Sequence, residues 1–373
     1  MNMWLIALLV GGCLGAYLGE YSDNGIVEVP IRHQRTKLRK RDGESVRGQT
    51  YGSYTIEFSV GTPSQQVQAI VDTGSSDLWL NTPQSEIVPN FDPSKSSTFE
   101  LNGTEFHIQY GSGSAHGRWG ADHVEVAGAV IEKQRFGVVS DKSAGEAVFG
   151  IGPVANEASD DKYANVPKAL KDQGHIYHNA YSMFIDNLNE SSGRVIFGGV
   201  DDAKYHPPLG IAVSTAKEAY VIDLTSLDVG GEKVTGEGTS LLLDSGTTFV
   251  YLPFEIADRI AEIFGAEFDD DGGVYTLTNK TDDHPDMSFS FPGGIKITVP
   301  SDEMIVRADE VLDEPKTEFV LGIIGTATAP YILGDTFMRS AYVVHDQDTM
   351  TVAMAQMKYT DESDIRAITK AIS

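Results

Sequence analysis

One short motif occurs twice in this chain of 373 residues, once in each half. Residues 70–76 read IVDTGSS and residues 242–248 read LLDSGTT, so an apolar run typical of a buried strand precedes Asp72 and Asp244. A carboxylate at the end of such a strand is costly unless its oxygens are hydrogen-bonded, and the glycine N–H and the hydroxyls that follow can supply those bonds. Two copies predict duplicated halves that each deliver one aspartate to a shared site.

Further motifs accompany the two copies along the chain. They are SDLW at residues 76–79, YGSGS at 110–114, VFG at 148–150, FGGVD at 197–201 and ILGD at 332–335. Together with the two aspartate motifs, this ordered set resembles the pepsin-like aspartic proteases over nearly everything after residue 50. The ending QMKY at residues 356–359, followed by a polar tail, is most similar to secreted fungal enzymes of the candidapepsin and yapsin kind.

The resemblance implies an all-β, bilobal fold, with two pseudo-symmetric β lobes, a central cleft and a β-hairpin flap. We expect the N-terminal lobe at residues 42–205 and the C-terminal lobe at residues 206–373. The residue pattern also favours an all-β fold, because short runs rich in β-forming residues recur between turn residues. The 38 glycines suit many tight turns. Helices are expected at residues 165–172 and at 253–264, where Pro253 suits a first turn.

The predicted chemistry needs two carboxylates that face each other. If Asp72 and Asp244 lie roughly 3 Å apart, as such pairs do, the repulsion between two anions is about 5 kcal/mol at an effective dielectric near 20, or roughly four pKa units. The pair then holds one proton over a wide acidic range. The ionised aspartate takes a proton from the water that attacks the peptide carbonyl, and the protonated one stabilises the developing oxyanion. The titration belongs to the pair, so neither residue is assigned the proton.

The resemblance also implies roles for the residues that follow each aspartate. Backbone N–H groups bond the inner carboxylate oxygens, one hydroxyl of each motif bonds the outer oxygen, and a second hydroxyl reaches the opposite loop and holds the halves together. In that order, the residues are Gly74 and Gly246, Ser75 and Thr247, and Thr73 and Ser245. Ser245 stands where the family more often has threonine, but it keeps the hydroxyl.

A hairpin tip is expected at Tyr110, where Gly111 and Gly113 allow a flap to move and close over an extended peptide. The resemblance implies that Trp79 packs beneath Tyr110 or donates its indole N–H to it. Ser112 bears on specificity, because several fungal relatives that accept lysine before the scissile bond carry an aspartate at this position. The uncharged serine favours large apolar or varied side chains at the cleavage site.

The N-terminal region indicates a secreted proenzyme. Residues 1–19 are expected to be a signal peptide, with an apolar core too short to span a membrane and with Cys13, the chain's one cysteine, inside it. Residues 20–41 are expected to be a basic propeptide that ends at Lys40-Arg41. Because its charge opposes that of the acidic body, we hypothesise an electrostatic latch over the cleft, released by cleavage after Arg41. A disordered basic linker is the alternative.

Composition limits the partners. A net charge of −26 argues against nucleic acid and against docking on anionic lipid. The expected partners are proteins or peptides in extended conformation, and the enzyme is expected to be a monomer with no membrane anchor. It is expected outside the cell, with cell wall and vacuole as further locations. Three glycosylation acceptors fit a secreted chain. They are Asn102, Asn189 and Asn279.

No metal or cofactor is expected to take part in the reaction. The nine histidines show no metal-ligand spacing, since His175 and His178 are three residues apart with no third ligand nearby. Two other functions are alternatives to an aspartic endopeptidase. A glycosidase with the same two carboxylates would need neither a flap tyrosine nor hydroxyls that join the lobes. A catalytically inactive binding protein on the same fold would keep its function if either aspartate became asparagine.

Overall fold

The computed structural model describes residues 21–22, 24–34 and 52–372, except for 112, 143, 189, 191, 236–237 and 313–316. Among them, the strands of the first half are β1 (Tyr21–Ser22), β2 (Ile26–Gln34), β3 (Ser53–Val60), β4 (Gln65–Asp72), β5 (Leu78–Asn81), β6 (Glu100–Tyr110), β7 (Gly113–Val126), β8 (Ala129–Val139), β9 (Val148–Gly150), β10 (Ala180–Ile185), β11 (Ser192–Phe197) and β12 (Gly199–Asp201).

The described strands of the second half are shorter. They are β13 (Gly210–Val213), β14 (Val221–Leu224), β15 (Ser226–Val229), β16 (Glu232–Thr235), β17 (Thr239–Leu243), β18 (Val250–Pro253), β19 (Glu267–Asp269), β20 (Val274–Leu277), β21 (Met287–Ser290), β22 (Lys296–Val299), β23 (Ile305–Arg307), β24 (Phe319–Leu321), β25 (Ile323–Thr326), β26 (Tyr331–Leu333), β27 (Ala341–Asp346), β28 (Thr351–Gln356) and β29 (Ile365–Ala367). The helices among the described residues are α1 (Val166–Asp172), α2 (Phe254–Phe264), α3 (Ser301–Met304), α4 (Ala308–Val311) and α5 (Asp335–Met338).

The predicted all-β class is confirmed, and both expected helices are present. The Asn165 side chain caps α1 by accepting the N–H of Lys168, at 3.4 Å. The helix α2 begins at Phe254, one residue later than expected, so Pro253 is its N-cap and does not lie in the first turn. Gly265 ends the helix in the left-handed conformation. The two helices depend on residues close together in the chain, which explains why the sequence alone predicted their positions.

A large sheet connects the two halves of the chain. Its strands run in the order β13-β28-β27-β10-β11-β2-β3-β4-β9-β5-β8-β7-β6. The connection is the antiparallel pair β10–β27, in which Met183 lies opposite Val343. Strands from both predicted lobes therefore share one sheet, and the expected division at residues 205 and 206 falls between β12 and β13. The position of the boundary between the two lobes remains a prediction.

The strand β2 belongs to the segment that was expected to be a propeptide. It pairs with β11 on one side and with β3 on the other, so its backbone is bonded on both edges. Its inward side chains, Val27, Val29 and Ile31, are buried in the main core. The whole of the expected signal peptide and the cleavage site at Lys40-Arg41 lie outside the described residues. The longest described part of the segment is this sheet strand. The propeptide, its cleavage and the latch remain hypotheses.

The second half builds its own sheet beneath the second aspartate motif. Its order is β14-β17-β26-β18-β25, with β26 parallel to β17. The first half has the matching arrangement, where β9 runs parallel to β4. In each half the strand before the aspartate therefore has a parallel neighbour made of the apolar-apolar-glycine motif. One continuous core of buried aliphatic and aromatic side chains runs through both halves and supports these strands.

Candidate active site

The two aspartates lie at the ends of equivalent strands. Asp72 is the last residue of β4 and is opposite Gly150 of β9, while Asp244 directly follows β17. Each neighbouring glycine approaches the backbone of an aspartate motif closely. A Cβ atom at Gly150 would lie 2.6 Å from the Asp77 nitrogen, and one at Gly334 would lie 2.3 Å from the Thr247 oxygen. A side chain at either position would displace a motif loop, which explains the glycines.

Each carboxylate is held by its own motif in the same way. The N–H of Gly74 donates to Oδ1 of Asp72 at 2.8 Å, and the Ser75 hydroxyl donates to Oδ2. In the second copy, the N–H of Gly246 donates to Oδ1 of Asp244 at 2.9 Å and the Thr247 hydroxyl donates to Oδ2 at 2.7 Å. The pattern that was expected from the resemblance is thus present in the hydrogen bonds of both halves.

The two carboxyl groups face each other across the motif glycines. A Cβ atom at Gly74 would lie 2.7 Å from Cγ of Asp244, and one at Gly246 would lie 2.8 Å from Oδ1 of Asp72. The glycine of each motif is therefore in contact with the aspartate of the other, and only a residue without a side chain fits. Burial and the adjacent charge of Asp72 raise the pKa of Asp244, which keeps a proton on the pair well above the ordinary range of a carboxyl.

Two hydroxyls bridge the halves in a reciprocal arrangement. The Thr73 hydroxyl accepts the N–H of Ser245 at 3.0 Å and donates to the Leu243 carbonyl at 2.9 Å. The Ser245 hydroxyl accepts the N–H of Thr73 at 3.1 Å and donates to the Val71 carbonyl at 2.8 Å. Both side chains are fully buried, so these four bonds fix the spacing of the two loops. Serine at 245 makes the bonds that its expected role requires.

The hairpin β6–β7 reaches back toward Asp72 at its tip. Tyr110 accepts a hydrogen bond from the indole Nε1 of Trp79 at 2.8 Å, and Trp79 itself is buried. The Gln109 amide donates to the carbonyls of Tyr110 and Gly113, at 2.9 Å each, and closes the tip. A Cβ atom at Gly111 or Gly113 would meet nothing within 4 Å, so space beside the tip is open. Ser112 lies outside the described residues.

Two of the three expected glycosylation acceptors lie among the described residues. Asn102 and Asn279 are exposed, as a glycosylation acceptor must be, whereas Asn189 lies outside the described residues. His175 and His178 bind different partners and do not meet at a shared site. His178 contacts the buried Asp346 at 2.9 Å, and His175 contacts the Val130 carbonyl at 2.8 Å.

Sequence reasoning missed a buried cluster beneath the first motif. Asp77 accepts the Tyr163 hydroxyl and the N–H of Ala158, both at 2.8 Å. Glu157 lies beside it, accepts the N–H of Tyr163 at 2.9 Å, and keeps its Oε1 buried with no partner among the described residues. Burial, and to a lesser extent the charge of Asp77, raises the pKa of Glu157 to about 8. Nothing in the sequence pairs residues about 80 positions apart.

The same cluster continues into the catalytic loop. Asn156, the residue before Glu157, donates its amide to the Gly74 carbonyl at 3.1 Å. The Ser76 hydroxyl donates to the Pro153 carbonyl at 2.6 Å. The segment from 153 to 163 therefore contacts the loop that presents Asp72 at two positions.

The second motif has its own missed support. The N–H of Asp335 donates to the Thr247 carbonyl at 2.8 Å, so this aspartate holds the residue whose hydroxyl binds Asp244. Asp335 is buried, and burial raises its pKa well above the ordinary value. Nothing local to the motif ILGD indicates that the aspartate after its glycine is buried.

Within the described ranges, no group of three or more histidine, cysteine, aspartate or glutamate side chains is arranged to hold a metal ion. The helices found there are all too short or too polar to cross a membrane.

Comparisons with known proteins agree with this arrangement. A family model described as eukaryotic aspartyl protease matches residues 53–357. Secreted aspartic protease 1 of Candida albicans is 35% identical over 369 residues, covering 93% of this chain and 92% of that protein. Candidapepsin of Candida tropicalis is 37% identical over 331 residues, covering 85% and 82%. The crystal structure of an aspartic proteinase from Irpex lacteus superposes with a TM-score of 0.75, at 22% identity, over 90% of this chain and 98% of that one.

Proposed function

This chain belongs to the eukaryotic aspartyl protease family, and we propose that Asp72 and Asp244 share one proton and activate the water that hydrolyses an internal peptide bond. The observation that carries the proposal is the reciprocal contact in which each motif glycine touches the other motif's carboxyl group. That contact supports a pair of carboxyl groups close enough to share a proton. Protein and peptide chains are the substrates of this aspartic-type endopeptidase.

The proposed reaction uses the pair in two states. The ionised aspartate removes a proton from the water as its oxygen attacks the carbonyl carbon, and the protonated aspartate hydrogen-bonds the oxygen that becomes negative. The motif hydroxyls and N–H groups stabilise the ionised state, and the raised pKa of Asp244 supports the protonated one. The proton then passes to the leaving nitrogen as the peptide bond breaks. Acidic pH favours this singly protonated pair.

The flap is proposed to hold the substrate. Closing the tip at Tyr110 over an extended peptide would exclude bulk water from the carboxyls. The Trp79–Tyr110 hydrogen bond supports a closed position in which the tyrosine ring covers the motif loop. Ser112, with Gly111 and Gly113 beside it, is proposed to favour large apolar or varied side chains, since it brings no charge to the flap.

We further propose a secreted proenzyme that works as a monomer without a membrane anchor. The Candida albicans relative carries secretion in its name, and the expected signal peptide at residues 1–19 fits it. Cleavage after Lys40-Arg41 would generate the mature enzyme. Because β2 is hydrogen-bonded on both edges, we expect residues 26–34 to stay in the sheet after this cleavage.

A cleavage profile tests the proposed function. The secreted protein is incubated with a mixed peptide library from acidic to neutral pH, with and without pepstatin, and every product is identified by mass spectrometry. We expect pepstatin-sensitive internal cuts that are strongest in acid, next to apolar more often than basic residues. Folded, processed protein that makes no internal cut at any pH would instead favour the inactive binding protein.

A further inference from the structure

Two histidines are opposed on the outer face of the flap, outside the site described above. His107 of β6 pairs directly with His116 of β7, and both side chains are exposed. Their Nδ1 atoms are 3.1 Å apart, and their ring centroids are 4.2 Å apart with the planes tilted by 52°. The inner face of the same hairpin is apolar and buried at Phe106, Ile108 and Ala115. Packing therefore does not require imidazoles at the outer positions.

The separation of the two nitrogens matches that of two ligands on one metal ion. Two Zn–N bonds of about 2.0–2.1 Å at a tetrahedral angle put the nitrogens roughly 3.3 Å apart. The observed 3.1 Å is within a few tenths of an ångström of that value. In the metal-free contact one nitrogen carries the proton that the other accepts, so an ion would replace this proton between the two rings.

A neighbouring hydroxyl contacts the ring of His116. His116 has its other ring nitrogen, Nε2, 3.2 Å from the Ser114 hydroxyl, an outer contact of the kind that orients metal-binding histidines. On the same face, Glu105 lies opposite Arg118, two residue pairs further from the tip. That pair carries opposite charges and leaves the position of the two histidines without a net neighbouring charge from the hairpin.

We propose that His107 and His116 bind one divalent transition-metal ion, such as Zn²⁺, through their Nδ1 atoms and that this ion restrains the flap. The protein provides two ligands and water completes the coordination, so this site binds more weakly than the sites with three or four protein ligands that the histidine spacing in the sequence does not indicate. Unlike His175 and His178, the two rings are in direct contact. The ion joins the two strands three residues from Tyr110, and it takes no part in peptide hydrolysis. The effect on the flap rests on the proposed function above, whereas metal binding does not.

Calorimetric titration with ZnCl₂ at neutral pH tests the site on the full secreted protein, after treatment with a chelator and its removal. The variants are His107→Gln and His116→Gln, with His206→Gln as a matched control because His206 is an exposed histidine far from the flap in sequence. Wild type and the control should bind one ion per chain, and either flap variant should weaken binding at least tenfold. Binding by both flap variants at wild-type strength, as for an ion on the catalytic aspartates, would overturn the site.

A second measurement tests the effect on the flap. Initial rates on a peptide substrate are compared at mildly acidic pH with Zn²⁺ and with chelator, as a ratio within each variant. Zn²⁺ should slow wild type and His206→Gln severalfold and the two flap variants much less. Equal ratios in all four proteins would contradict the restraint. If no variant hydrolyses any substrate, the proposed function fails, and the titration still decides the metal site.

Discussion

Replacing Glu157 with glutamine should change the stability of the protein relative to wild type, and the change should favour the variant more at neutral pH than at acidic pH. The carboxyl of Glu157 is buried against Asp77, with Oε1 lacking a partner among the described residues and Oε2 accepting one N–H. Burial raises its pKa from 4.5 to about 8. A glutamine of the same shape keeps the acceptor for Tyr163 and removes the proton that the folded state must retain.

The size of the effect follows from proton linkage. A carboxyl with a raised folded pKa contributes stability that is complete below its unfolded pKa and is lost as the pH rises toward the folded value. The window for Glu157 therefore runs from 4.5 to about 8. At 1.36 kcal/mol per unit, raising the pH from 4.5 to 7 costs wild type about 3 kcal/mol. The glutamine variant does not lose this contribution.

Urea unfolding at several pH values between 4.5 and 7 measures this difference. Trp119 is a suitable fluorescence probe, because its ring lies 5.6 Å from that of Tyr163 in the same cluster. The free energy of unfolding of the variant minus that of wild type should grow by about 3 kcal/mol across the range. Other titrating groups are common to both proteins and cancel. A difference that stays constant with pH would refute the reasoning.

Three further predictions concern the motif loops and the first strand. Ser245→Ala removes the acceptor for Thr73 N–H and the donor to the Val71 carbonyl, so thermal or urea unfolding should show a loss of about 1–3 kcal/mol; an unchanged midpoint would contradict the bridge. Gly246→Ala places a Cβ atom 2.8 Å from Oδ1 of Asp72, so circular dichroism should stay native while peptide hydrolysis is lost, and full activity would contradict the facing carboxyls. After cleavage following Arg41, residues 26–34 should remain bound under native conditions, because burying Val27, Val29 and Ile31 is worth roughly 5–9 kcal/mol; native and denaturing mass spectrometry should find one complex and two chains, and loss of the segment under native conditions would contradict this.

Local signals in the sequence predicted much of the fold and of the site. The two expected helices and the two strand–aspartate–glycine motifs each depend on residues within a few positions of one another, and the structure contains these elements. The bonds around Asp72 and Asp244 could be expected because each motif carries its own donors. What the sequence predicted well is therefore what neighbouring residues determine.

Long-range contacts account for what was missed. The pairing of the strand that contains Val27, Val29 and Ile31 was not predicted, because its partners in β11 and β3 lie about 20 to 170 positions further along the chain. Glu157 and Asp77 are 80 residues apart, and no local pattern indicates that both carboxyls are buried side by side. Pairing across such distances is fixed by the assembled fold.

The central claim is that one proton shared by two aspartates drives hydrolysis, and it is tested most directly by the pH dependence of kcat/KM for wild type, Asp72→Asn and Asp244→Asn. Asp361→Asn serves as the control, since Asp361 is exposed. We predict that each active-site variant loses activity by a factor of about 10⁴ or more at every pH while remaining folded, and that the control matches wild type. Hydrolysis by either active-site variant at the wild-type rate would contradict the account.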